Sequence, residues 1–222
     1  MLLTSEISEI SSRADVRCGP QRRGLDGGIG ASVHLETDSG WKKASDIVPG
    51  DQVLTLDHGM RTVWNVRAKT MNSTKDSLPL IITVGAVGNC REFMVRDRQV
   101  VLFEMTEAEK FTGSRYVLVH ASDLIGFKGI SRIVPPKDFE VISLEFQNDE
   151  VVCAANGSYI FFPKSDETKN DGEASHEFPE YRILTSKFVT SLVSVMKSDS
   201  SFQISVWENG RDAQVGCRCA DR

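Results

Sequence analysis

The sequence is short of histidine, of basic excess and of long apolar runs, and each shortage closes a class of function. Its 222 residues carry 26 Lys and Arg against 31 Asp and Glu, a net charge of −5. A surface that binds nucleic acid needs concentrated positive charge. The basic pairs Arg22-Arg23 and Lys42-Lys43 are diluted by acidic residues, so no nucleic-acid partner is expected. No apolar run approaches the roughly 20 residues that span a bilayer, so no membrane partner is expected either. The opening MLLTSEISEISSRADVR has neither a basic start nor a sustained apolar core and does not read as a secretory signal. The expected location is the cytoplasm, or outside the cell by a route that needs no cleavable signal.

Cysteine is sparse and odd in number: Cys18, Cys90, Cys153, Cys217 and Cys219. Such spacing argues against a disulfide framework and fits a reducing compartment. Cys217 and Cys219 lack the second ligand pair of a structural zinc site. The four histidines, His34, His58, His120 and His176, are scattered, so neither a metal nor a cofactor is expected. No clustered Ser/His/Asp, Cys/His or paired-carboxylate pattern supports a small-molecule substrate. The charged run Arg96-Asp97-Arg98 reads as a solvated strand end.

What is present is β-sheet grammar. With 40% hydrophobic and 26% charged residues, the chain has an ordinary globular composition. From Ser32 onward, segments of four to seven residues alternate apolar and polar and are broken every 8–12 residues by Gly, Pro, Asn or Asp, which predicts an all-β domain. SVHLET places Val33 and Leu35 on one face and His34 on the other, and DSG reads as a hairpin turn. DQVLTLDHG alternates and stops at His-Gly, where His58 reads as a turn residue. MRTVWNVRAKTM predicts one strand with a bulge, and LEFQNDEVVCA predicts a hairpin turning at QND.

Residues 1–27 read as a mobile lead-in, 28–165 as the domain, 166–178 as a polar linker, and 179–222 as a C-terminal helix and tail. In that last part Ile183, Leu184, Phe188, Leu192, Val195 and Met196 recur at helical spacing, and SFQISVWENG could hold a short strand. A helix with a single apolar face is expected to pack on the outside of the domain. Trp41, Trp64 and Trp207 read as packing residues, and Trp207 could also anchor an interface.

The run GWKKASDIVPGDQVLTLDHG resembles the first block of Hint domains, the fold shared by inteins and the autoprocessing part of hedgehog proteins. It is most similar to the bacterial Hedgehog/intein branch. That branch's G-x-x-x-V-x-x-L-x-x-G-D-x-V-L-T-x-D-x-G pattern falls on Gly40, Ala44, Ile47, Gly50, Asp51, Val53, Leu54, Thr55, Asp57 and Gly59. LIITVGAVGN, FMVRDRQVVLF, VLVHASDLIG and VISLEFQNDEVVCAANGSYIFFP resemble the family's later blocks, in order, over about residues 28–165. The resemblance implies an all-β, horseshoe-like fold of about a dozen short strands, with its two ends brought together and Gly28 near Gln99.

The resemblance also implies a chemistry: a Cys or Ser attacks its own preceding carbonyl, a histidine polarises the scissile amide, and the resulting (thio)ester passes to another nucleophile. Nucleophile, acid and peptide must be held together. Counting back from Pro49-Gly50-Asp51, the nucleophile position falls on Gly28, within a window that takes in Ile29 and Gly30. The second-block histidine falls on Gln99, and the branch's other histidines fall on Asp123, Ser143 and Asp149. A glutamine donates a hydrogen bond but no proton near neutral pH. The positions therefore read as vestigial, and a catalytically inactive structural or interaction module with an unknown protein partner is expected. The alternative is active autoprocessing from Ser32, which needs a four-residue deletion before the strand, or from Cys18, ten residues upstream of Gly28. His120 stands where the family has proline, with no positioned nucleophile to serve.

Overall fold

A computed structural model of the chain describes residues 27–72, 78–135, 138–155, 157–164 and 183–198. The expected lead-in before Gly27, the linker 166–178 and the tail strand lie outside the described residues, as do Cys18, His176, Trp207, Cys217 and Cys219.

Local chemistry sets the hairpins. Asp38 and Ser39 turn the chain between β2 (His34–Thr37) and β3 (Gly40–Lys43), and the Thr37 hydroxyl donates to the Gly40 carbonyl at 2.6 Å. Pro49-Gly50 makes the next corner. Proline presets φ at the first central position, glycine supplies φ +98° at the second, and Asp51 N donates back to Val48 O at 3.1 Å. The Asp51 carboxylate then accepts from Val48 N at 2.8 Å and from Lys42 Nζ at 2.6 Å, tying the corner to β3. Strand β4 (Gln52–Thr55) returns through Leu56-Asp57-His58 to β5 (Gly59–Thr62), with Thr55 Oγ1 donating to Gly59 O at 2.8 Å.

Fourteen strands among the described residues build two antiparallel sheets, so the expected all-β class is observed. The six-stranded sheet runs β11 (Ser131–Arg132), β7 (Leu80–Ile82), β8 (Phe93–Val95), β1 (Ile29–Gly30), β12 (Phe139–Glu145), β6 (Asn65–Met71). The eight-stranded sheet runs β10 (Tyr116–His120), β9 (Val100–Glu104), β14 (Ser158–Phe162), β13 (Glu150–Ala154), β2, β4, β5, with β3 beside β2. One apolar cluster joins them, from Ile29, Leu80 and Ile142 of the first sheet to Leu35, Val53, Val101 and Phe162 of the second.

Three expectations are corrected here. MRTVWNVRAKTM is not one bulged strand: β5 and β6 belong to different sheets, and the chain changes sheets at Val63-Trp64. LEFQNDEVVCA is not a hairpin either. β12 pairs with β1 and β6, whereas β13 pairs with β14, β2 and β4. The hairpin lies one step later, between β13 and β14. Trp64 is 50% exposed and does not serve as a packing residue, while Trp41 is half-buried.

The predicted C-terminal helix is present but starts at Ser186 and runs to Ser198. Ile183 instead bridges Leu118 of β10 in parallel, and Leu184 N donates to Leu118 O at 2.9 Å. Phe188, Val189 and Val193 are buried in the main core, against β10 and the short 3-10 turn Ala121–Leu124. No described helix is long and apolar enough to cross a membrane.

Candidate functional site

The site is built where β1 is threaded between β8 and β12. Arg96 N donates to Gly28 O at 2.9 Å, which fixes the entering chain against the end of β8. The turn Arg96–Gln99 then carries the chain into β9, closed by Gln99 N to Arg96 O at 3.0 Å. Register pairs Ile29 with Ile142 and Gly30 with Val141, so the next position outward sets Gly28 against Ser143.

The two glycines at the entry face different things. Gly28 has φ +152°, and a Cβ there would collide with Val141 Cγ1 and lie 3.3 Å from Ile142 O. A Cβ on Gly27 would instead meet the tip of Gln99, Oε1, at 2.7 Å. Gly27 is therefore the glycine whose missing side chain faces the second-block position.

Gln99 itself is 3% exposed, and Nε2 donates to two main-chain carbonyls, Val100 O at 3.0 Å and Phe161 O at 2.8 Å. Because both partners are acceptors, the amide's NH2 group is fixed toward them. Its donors are spent on the fold.

Gly27, Arg98, Gln99, Ser143, Phe161 and Pro163 line one small cleft. The two ends of the strand system, Gly27 and Pro163, thus share a wall, as the resemblance implies. Among the described residues that line the cleft, Ser143 supplies the one hydroxyl, and there is no imidazole, thiol or carboxylate. A serine with no base beside it is a weak nucleophile.

The remaining candidate positions, Asp123, Asp149 and Ser32, do not line this cleft. Asp123 sits in the turn Ala121–Leu124, which is held to the Gln99 turn by Ala121 N to Gln99 O at 2.8 Å and Ser122 N to Asp97 O at 3.0 Å. Burial pushes the Asp123 carboxyl above its ordinary value, against the opposing effects of Ser186, His120 and Ser122, and Oδ2 is buried without a hydrogen-bond partner. Asp149 Oδ1 accepts from Lys164 N at 2.8 Å, pinning the chain just after Pro163. Ser32 is exposed in the turn that leaves the far end of β1 and does not line the cleft.

His120 Nδ1 lies 3.2 Å from Arg98 O, in an exposed bond. Cys153 is buried on β13 and its thiol donates to Glu36 Oε2 at 3.6 Å. Among the described residues, no group of three or more His, Cys, Asp or Glu could hold a metal ion. Sequence reasoning missed Gly27, Phe161 and Pro163, none of which carries reactive chemistry. Pro163 does close the last matched block, and that position was the available signal.

A family model described as "Hint domain" matches residues 30–159. No curated protein matches the chain. Among solved structures, the gp41-1 intein shares 19% identity at TM-score 0.41, covering 60% of this chain and 97% of its own. A bacterial intein-like domain from Clostridium thermocellum shares 13% at TM-score 0.45, covering 62% and 98%. The MchDnaB-1 intein shares 11% at TM-score 0.38, covering 59% and 98%. The family match takes in well over half of the 222 residues, and the chain belongs to the Hint domain family.

Proposed function

We propose that this Hint domain has lost self-cleavage and works as a folded structural or interaction module whose ligand is another protein. The observation that carries the reading is the state of Gln99. Its two donors are committed to Val100 O and Phe161 O, and the neighbouring residue in the cleft is a glycine. Acyl shift needs a side-chain nucleophile at that neighbour and a proton donor aimed at the scissile amide. On this reading residues 28–165 form the module, Gly27 or Gly28 is the vacated nucleophile seat, and Gln99, Asp123, Ser143 and Asp149 serve the fold.

Denaturing mass spectrometry of the full-length protein tests it, with and without added thiol or hydroxylamine. A single intact mass near 24.6 kDa under both conditions is the expected result. Fragments with an end at Ala31-Ser32 or near Cys18 would overturn the reading in favour of autoprocessing from Ser32 or Cys18.

A further inference from the structure

The two sheets end in edges of different kinds. β11 is two residues long and ends shortly before Pro135, and β10 is covered by the Ile183–Leu118 bridge. Short strands, proline and cover are the usual protection of a sheet edge. β3 and β5, each paired on one side, have four residues. β6 has seven, keeps an unbroken register with β12 from Asn65↔Glu145 to Met71↔Phe139, and pairs with no other described strand. It contains neither proline nor glycine, and Arg67, Ala68, Lys69 and Thr70 are all exposed. A strand bonded on one side only presents a row of backbone N–H and C=O groups outward.

Register sorts the side chains of this edge. Cross-strand partners share a face, so Arg67 and Lys69 stand with Ser143 and Val141, while Val66, Ala68 and Thr70 stand with Leu144, Ile142 and Glu140. Val66 packs against the main core, so the second face continues the core side with small side chains. The first face is basic. Arg67 is ion-paired with Glu145, whereas Lys69 has no ion-pair partner among the described residues. At the start of the strand Trp64 is 50% exposed, apolar surface of the kind that anchors interfaces.

We propose that the β6 edge docks an extended segment of a protein partner that alternates acidic and apolar residues and joins the six-stranded sheet as one more strand. This rests on the reading of the domain as an interaction module, and names its surface and the chemistry of its partner. Main-chain hydrogen bonds to β6 supply affinity, acidic side chains meet Arg67 and Lys69, and apolar ones extend the face of Val66 and Ala68. The same charges select against a second copy as the occupant. An antiparallel β6–β6 pair centred on Ala68 sets Arg67 opposite Lys69, and like charges directly opposite are destabilising.

The test is fluorescence anisotropy of a labelled, blocked peptide of seven residues, the length of β6, alternating glutamate and valine and titrated with the full chain. Saturable binding is expected, with the β6 amides newly protected in hydrogen exchange. The peptide with lysine for glutamate should not bind. Nor should the glutamate peptide N-methylated at every residue, which keeps its charge and loses its donors. Lys69→Glu should weaken binding about tenfold, because an attractive cross-strand pair becomes a repulsive one. No binding, equal binding of the lysine or N-methylated peptide, full affinity in Lys69→Glu, or protection confined to another strand would each overturn the proposal. A dimer by light scattering with β6 protected in the absence of peptide would also overturn it, and would assign the edge to a second copy. Intact mass is read on the same sample. Cleavage with peptide binding retained would sink the inactive-domain reading alone, and loss of binding with the mass intact would sink this proposal alone.

Discussion

Gln99 and Phe161, 62 positions apart in sequence, are joined by a buried hydrogen bond of 2.8 Å from the glutamine amide to the phenylalanine carbonyl. The bond links the turn before β9 to the end of β14 and so closes the wall on which the chain enters and leaves the strand system.

Replacing Gln99 by leucine keeps the bulk and removes both donations. The expected cost is about 1–3 kcal/mol, the range for leaving a buried polar group unsatisfied. Urea denaturation checks this. The intact mass should not change, since the reading gives Gln99 no catalytic role.

The two entry glycines should respond unequally to a methyl group. Gly28→Ala forces positive φ on alanine and drives Cβ into Val141, and is expected to cost about 1–3 kcal/mol. Gly27→Ala meets the far end of Gln99, which can shift, and should cost about 1 kcal/mol or less. Combined with Gln99→Ala, Gly27→Ala should lose its cost altogether, because the two side chains compete for one space. Thermal melts of wild type, the three single variants and the double variant decide it.

Asp51 stabilises the Pro-Gly corner as an anion. Burial acts to raise its pKa, but the Lys42 hydrogen bond, the Val48 amide and the Lys42 charge outweigh burial and hold it below the ordinary 3.8. A depressed folded value means stability that is present above 3.8 and lost as pH falls through the folded pKa. Asp51→Asn should therefore be less stable than wild type at neutral pH, by about 1 kcal/mol, and should match it in strong acid. Chemical denaturation at neutral and acid pH gives the comparison.

For Asp123 the sign reverses. Its folded pKa is raised above 3.8, chiefly by burial, so its favourable contribution is complete below 3.8 and is lost as pH rises through the folded value. Asp123→Asn should be more stable than wild type at neutral pH, and the advantage should shrink to nothing on acidification. Melting temperatures of both proteins across pH test this, and an Asn variant that is less stable at pH 7 would contradict it.

How much of this could be read in the sequence depends on how local the cause is. Asp38-Ser39, Pro49-Gly50 and Asp57-His58-Gly59 turn the chain through contacts within a few residues, so these two hairpins and the corner between them were legible. The changes of sheet at Val63-Trp64 and between β12 and β13 were not. A β-rich run followed by polar residues has the same pattern whether the next strand folds back or crosses to the other sheet. Glu150 shows the same limit at the level of one residue. In QNDEVV it reads as the flank of an exposed turn, yet it is 3% exposed, with His58 Nδ1 at 2.9 Å and Arg61 Nε at 3.6 Å. Its partners come from a hairpin about 90 positions away, beyond any sequence window.

The candidate site divides along the same line. Position counting along the family pattern located Gln99 and Ser143, which do share the cleft. It could not distinguish Gly27 from Gly28, because that difference is a direction in space: one missing Cβ points at Gln99, the other at Val141.

The shared wall of Gly27 and Pro163 has a mechanical consequence. Tension applied to the chain on either side of the strand system would pass from one of these residues to the other across a single cleft. The force would load the Gly28–Arg96, Gln99–Phe161 and Asp149–Lys164 hydrogen bonds first, leaving β2 to β5 unstrained. Most of the domain would then hang beside the line of force.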